Sequence, residues 1–426
     1  MGTGRWGLLH DHDFRQLFGS TTVSQFGNQV TFLALPLVAL ESLAASAFEV
    51  GVLTSLSTAA FLLVGLPAGA WVDRMRRRRV LIVADLGRVA LLASIPLAWW
   101  LGVLSLGQLY AVALLVGVLT VLFDVAYQGY LPHLVGRANL VEGNARLEAV
   151  RAIAQVGGPG LGGSLIQLLT APVALLVEAV TLALSALFVV RIDRREDKPA
   201  RSSQAHLLRE IGEGLRFVLG HRLLRVIAAC TSIGNLFGAA ATAMEVFFLR
   251  KDLGLAAGVI GAVFAVGGAG AVAGALVARR FAAWVGQGPA MWLSLGCGAP
   301  FGFLLPLAAP GWRVWLGAAG FAVVAAGIVI YNVTQVSFRQ GLTPDRLLGR
   351  MNATMRFLVW GTQPIGGLVG GILGSALGAR AALLVAAAGG CVSTLPVLLS
   401  PLRTMRDLPS HPPDERTDGR PSAIVS

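Results

Sequence analysis

Three acids, Asp124, Glu178 and Glu245, stand inside stretches that are otherwise apolar. A carboxylate taken out of water without a partner is among the costliest groups a chain can bury, so an acid kept there has work to do. It can take up a proton, hold a cation, or pair with a base from another segment. Glu178 has no cation near it in sequence and is the strongest candidate for binding a proton or a cationic substrate. Glu245 has Arg250 and Lys251 shortly after it, so local pairing competes with that role, and Asp124 can be neutralised by an arginine of a neighbouring loop. The amides Asn28, Gln155 and Gln363 also fall in apolar stretches, where they can orient a substrate but cannot titrate.

A second set of residues is mechanical in character. In "GAWVDRMRRRRVL", Asp73 is followed by Arg74 and by Arg76 to Arg79 between two apolar runs. Such a turn can act as an orientation signal alone. It can also be a latch, because Asp73 sits at a helix C-terminus whose dipole repels an anion and therefore needs a partner. Gly69, one turn earlier, would let two helices approach closely. Asp85 and Arg88 are three residues apart on one helical face and form either part of a gate or a locally neutralised pair. In "GGPGLGG", Gly158 and Pro159 interrupt the backbone ladder, and Gly162 with Gly163 permits close packing. "HDHD" at 10–13 reads as a charged membrane-surface helix, with no metal assigned. HExxH, GxSxG and GxxxxGK[ST] are missing, so the sequence supports neither an enzyme nor ATP drive, and it implies no cofactor.

These residues require membrane-spanning helices to position them. Hydrophobic residues make up 55% and charged ones 13%, against roughly 25% charged in soluble chains, and mean hydropathy is +0.71. Apolar runs of about 20 residues, the length that crosses a ~30 Å hydrocarbon core, number twelve. They fall near 20–41, 48–71, 80–101, 107–130, 148–170, 172–191, 223–249, 257–279, 286–308, 313–337, 352–376 and 379–400. Glu178 and Glu245 then lie roughly 8 to 9 Å below one surface and Asp124 a similar depth below the other. The expected organisation is a six-helix half over 1–191, a cytoplasmic loop over 192–222, a second half over 223–400 and a proline-rich, disordered tail over 401–426. Residues 1–20 lack the apolar core of a cleavable signal. Thirty of the 34 Lys and Arg residues gather on one side of the spans, which places both termini in the cytoplasm. The charge of +12 is therefore spread between spans, and nucleic acid is not the expected partner. Cys230, Cys297 and Cys391 are scattered and read as small core residues.

The halves repeat. "GNARLEAVRAIAQVGGPGLGG" lies over "MNATMRFLVWGTQPIGGLVGG" at an offset of 208, so Gln155, Gly158, Gly162 and Gly163 coincide with Gln363, Gly366, Gly370 and Gly371. Two parallel six-span halves are the plan of transporters that rock around a midplane cavity. Gly69, Asp73, Arg74, Arg77, Arg78 and Arg79 match the GxxxDRxGRRR signature of the major facilitator superfamily, which the sequence resembles over about 14–400. It departs from that signature at Arg76, where the family usually has glycine. "GGPGLGG" resembles the GPxxGG core found in the family's proton-coupled drug exporters, although span four lacks the RxxxG pattern of many proton antiporters. The pattern is most similar to the bacterial branch that exports macrolides, siderophores and other natural products. That resemblance implies an all-α polytopic protein with twelve transmembrane helices in two pseudo-repeats. It further implies a monomer in the bacterial cytoplasmic membrane that exports amphipathic small molecules in exchange for protons. It also places Asp73 opposite the start of span eleven near Asn352, with Arg88 or a loop arginine as partner. The matching "GALVARR" has Ala278 at that position, making the latch one-sided. An uptake or facilitative carrier for a polar metabolite, or a non-transporting receptor, are the alternatives.

Overall fold

The computed structural model describes residues 7–72, 74–136, 139–194, 196 and 207–406. Asp73, the proposed latch acid, lies outside the described residues, as do most of the central loop and the tail from 407.

Every described spanning element is a helix, as a bilayer demands when it offers no water to backbone N–H and C=O groups. The first six are α1 (His12–Ser42), α2 (Ala47–Val72), α3 (Arg77–Trp100), α4 (Leu106–Val135), α5 (Leu140–Leu169) and α6 (Ala171–Val190). An amphipathic connector, α7 (Leu207–Gly220), leads to α8 (Arg222–Phe247), which ends in a π-helical turn at Phe248–Asp252. Then come α9 (Ala257–Val285), α10 (Gln287–Gly298) with a 3-10 extension at Ala299–Leu304, and α11 (Arg313–Leu342). The last span pair is α12 (Asp345–Trp360) with α13 (Thr362–Leu377), then α14 (Ala379–Val392) with α15 (Leu395–Leu398).

Among the described residues, ten helical stretches are long and apolar enough to cross a membrane, two fewer than the sequence suggests. The other two expected spans are helical but fall short for different reasons. In α5, glycines, Pro159 and the amides Gln155 and Gln167 dilute the apolar character. The ninth is cut short because α10 tightens into a 3-10 turn at Pro300. The eleventh is also interrupted, at Gly361 between α12 and α13.

Helices α1 to α6 pack among themselves and α8 to α15 do likewise, the two groups meeting where α2 lies on α13 and α5 on α9. Glycines set both seams, and they do so at the repeat offset. Gly162 faces α1 at Val30, while Gly163 faces the other group, where an added Cβ would press on the Ala257 carbonyl and reach 3.0 Å from Gly261 Cα. In the second copy Gly370 packs on α8 at Ala240, and Gly371 meets α2, with an added Cβ only 2.9 Å from Gly51 Cα. Without side chains the backbones can touch, which is how small residues hold membrane helices together.

Candidate functional site

Both seams are closed toward one face. Both described chain ends lie on the same face; on the opposite face, Ser55 Oγ donates to the Pro364 carbonyl (2.8 Å) and Gly258 N–H to Gln167 Oε1 (3.1 Å), each bond joining the two helix groups. There Glu41 at the end of α1 also pairs with Arg250 Nε across the groups at 2.8 Å. Toward the terminal face, the edge-on contact of Phe61 with Trp360, centroids 4.6 Å apart, bounds the seam of α2 with the second group. Beyond it a cavity of about 280 Å³ parts α2 and α4 from α12, lined by Gly65, Val121, Asn352 and Arg356 among others. Gly69 has nothing within 4 Å of an added Cβ. The close approach expected at Gly69 is thus found one helix-half away, at Gly51, and the terminal side of that seam is open.

A larger cavity, about 400 Å³, lies between α8, α10, α11, α13 and α14, with Thr54 and Thr58 of α2 reaching it from the first group. Glu245 and Gln363 line it, beside Asn235, Asn332, Thr231 and Tyr331. Glu245 is 7% exposed and makes no ion pair among the described residues: the expected local partner Arg250 is bonded to Glu41 and to the Leu255 carbonyl. Asn28, Gln155, Asp124 and Glu178 do not line this cavity. Asn28 is half-buried on α1, and Gln155 is exposed on α5 while its carbonyl sits at the crossing with Gly268 of α9. Asp124 is half-buried, and its charged neighbours are Arg88, Arg151 and, from the second group, Arg356, which itself lies over the Trp360 ring at 4.7 Å.

Inside the first group, Asp85 and Arg88 form a fully buried ion pair. Ser185 Oγ donates to Asp85 Oδ2 (2.7 Å), Ser20 and Ser185 hydroxyls are bonded at 2.8 Å, and the Arg88 guanidinium lies 4.8 Å from the Phe123 ring centroid. The pair is locally neutralised and ties α1, α3, α4 and α6 together; breaking a buried pair of this kind typically costs about 3–5 kcal/mol. Glu178, 2% exposed, packs from α6 onto α1 at Gly27, where an added Cβ would collide with Thr181 Oγ1 and come 3.3 Å from Glu178 Cγ. Among the described residues its Oε2 is buried without a hydrogen-bond partner, as is the nearby Thr31 hydroxyl.

The arginine cluster is structural in part. Arg78 donates to the last carbonyls of α6, Val189 and Val190, where a cation complements the helix dipole. Arg77 Nη1 reaches the Gly129 carbonyl of α4 at 3.2 Å, while Arg74 and Arg79 are exposed. At the same face His12, Asp13 and Asp193 come within 4.8 Å of one another, and Asp11 and Asp13 approach Arg194 at 3.8 and 3.9 Å.

Sequence reasoning missed the Glu41 and Arg250 pair. The available signal was a lone acid and a lone base, each closing a span on the same side. With side chains 31% and 35% exposed, the pair is worth roughly 0.2–1 kcal/mol. Arg250→Ala is therefore expected to shift the balance between closed and open forms by no more than about fivefold, and the charge swap Glu41→Arg with Arg250→Glu is expected to restore it. Thiol labelling of a cysteine introduced at Thr54 reads that balance; an Arg250→Ala protein labelled at the wild-type rate would show that the pair does not hold the face shut.

Residues 17–362 match the family model described as Major Facilitator Superfamily. The chain belongs to the major facilitator superfamily. Among its curated relatives in that superfamily, the "Multidrug efflux pump Tap" of Mycolicibacterium fortuitum is 28% identical over 86% of this chain and 90% of its own length. The "Enterobactin exporter EntS" of Escherichia coli O6:K15:H31 is 26% identical over 97% of both. Among solved structures, a bacterial homologue of the iron transporter ferroportin in its inward-facing state superposes with a TM-score of 0.74 at 15% identity, covering 91% of this chain and 98% of that one. Its outward-facing counterpart gives 0.59 at 16% identity over the same shares. As a superfamily member the chain is a multi-pass membrane transporter and not an enzyme.

Proposed function

We propose that the protein is an alternating-access exporter of amphipathic small molecules, driven by protons and caught here open toward the cytoplasm. The observation that carries this reading is the pair of repeat-related glycine seams, both shut at one face, with the α2 seam parted at the other. A carrier built on two quasi-equivalent seams has two quasi-equivalent closures, and exchanging them moves a central cavity from one side of the membrane to the other. The clustering of arginines on the open side supports a cytoplasmic assignment for that side. The higher TM-score to the inward-facing ferroportin homologue than to the outward-facing one supports the same reading.

Export is supported by the names of the relatives, an efflux pump and a siderophore exporter. Protons as the driving ion are supported by Glu178, a buried acid with an unpartnered oxygen at the α1–α6 contact. The first half, the second half and the connector between them work in this reading as two rocking bodies and a tether.

Purified protein in proteoliposomes with an imposed pH gradient tests the reading. Ethidium is expected to accumulate in vesicles whose lumen is acidic, up to about tenfold per pH unit for one-for-one exchange, and to leak out when a protonophore collapses the gradient. Equilibration to equal concentrations, indifferent to the gradient, would leave a facilitative carrier in place of an exporter.

A further inference from the structure

We propose that the cavity of the second half is a cation site, taking an amphipathic compound whose ammonium or other onium head lies against Glu245. This rests on the exporter reading and narrows its substrate class.

Among the described residues, Glu245 is the one acid in the lining, no base lines the cavity, and no charged group stands close enough to pair with it. Arg250, the nearest cation along the chain, is held by Glu41 and by the Leu255 carbonyl on the closed face. The cavity is thus a desolvated acid with its counter-charge missing. A cationic ligand supplies that charge, a neutral one leaves the acid buried without a counter-ion, and an anionic one is repelled.

Shape and lining make the same case. The volume, about 400 Å³, falls in the range of drug-sized sites, about 300–1,000 Å³. Phe237, Phe321, Leu295 and Ile328 supply apolar wall for the body of the ligand, with two rings that also favour a cation. Asn235, Asn332 and Gln363 add hydrogen-bonding groups that carry no charge and therefore do not compete with the ligand for Glu245. Thr54 and Thr58 enter from the first half, so the site straddles the surfaces that must move past one another during transport.

Equilibrium binding to the purified full-length protein in lipid nanodiscs tests the site, with tetraphenylphosphonium and ethidium as cationic probes and triphenylphosphine oxide as the uncharged counterpart. Saturable binding of the cations is expected, with no displacement by the oxide. Glu245→Gln is expected to weaken the cations by roughly 10- to 100-fold, the worth of a lost interaction with a charged group. Glu245→Asp should recover part of that loss, and Glu148→Gln, at an exposed position of α5, should leave binding unchanged. Wild-type affinity in Glu245→Gln, equal affinity for the oxide, or a wild-type protein that binds neither cation would each overturn the proposal, and the competition with the oxide decides it even if the glutamine variant fails to fold. Binding without pH-driven transport would sink the exporter reading and leave the site standing. Transport of uncharged compounds at a rate indifferent to Glu245→Gln would do the reverse.

Discussion

Leucine in place of Gly163 or Gly371 is expected to abolish transport while leaving most of the protein inserted and folded. Each glycine touches backbone of the opposite half: Gly163 the Ala257 carbonyl and Gly261, Gly371 the Cα of Gly51 and the Phe48 carbonyl at 3.1 Å. Backbone cannot swing away as a side chain can, so the larger residue must push two helices apart where the closed face seals. Overpacking of this kind costs typically about 1–3 kcal/mol, which is spent against one conformer only and so shifts the open-to-closed balance by roughly 5- to 150-fold. Gly158→Leu is expected to be milder, because its neighbour is the Gln29 side chain, and Gly69→Leu milder still, with no atom within 4 Å. Initial transport rates, normalised to the monodisperse protein recovered, give the ranking. Transport by Gly163→Leu at the wild-type rate, or a loss of folded protein that matches the loss of activity, would mean that the seam is ordinary packing and not a gate.

The difference between Gly162 and Gly163 shows where reading the sequence stops. The repeated glycines mark both as places of close approach, and the structure agrees. Adjacent residues on a helix point about 100° apart, however, so one meets α1 of its own half and the other α9 of the opposite half, and nothing local in "GGPGLGG" distinguishes them. Asp85 and Arg88 were readable as a pair because their spacing alone brings them together, whereas Ser185 and Ser20, which complete the network, come from α6 and α1. Spans were legible from apolar runs up to the point where local chemistry interrupts them: Pro300 and Gly361 break helices that the run of hydrophobic residues joins. The cavity around Glu245 draws residues from six helices, of which the sequence marks only Glu245 and Gln363 as candidates for a site. Long-range partners such as Glu41 and Arg250 leave no periodic trace, since each is a single polar residue whose meaning depends on the other.

Replacing Glu178 by glutamine is expected to separate driving force from binding. Glutamine there keeps the size and the contact with Gly27 but removes the oxygen that can hold a proton, the Oε2 that has no other partner. A carrier that must load and unload a proton at this position loses its link to the pH gradient, while the second-half cavity, which Glu178 does not line, still takes its ligand. One pH unit is worth about 1.4 kcal/mol per proton, so the wild type can sustain about tenfold accumulation per unit and Glu178→Gln is expected to fall to no accumulation at all. Counterflow at equal pH, in which labelled ligand exchanges for unlabelled, is expected to continue at a reduced rate. Arg88 is the charged group nearest in effect to Glu178, and it is fixed on Asp85, so the neutral variant leaves that pair intact and the fold with it. Accumulation that survives Glu178→Gln undiminished would move the coupling acid elsewhere, with Asp124, which faces Arg356 across the open seam, the next residue to replace.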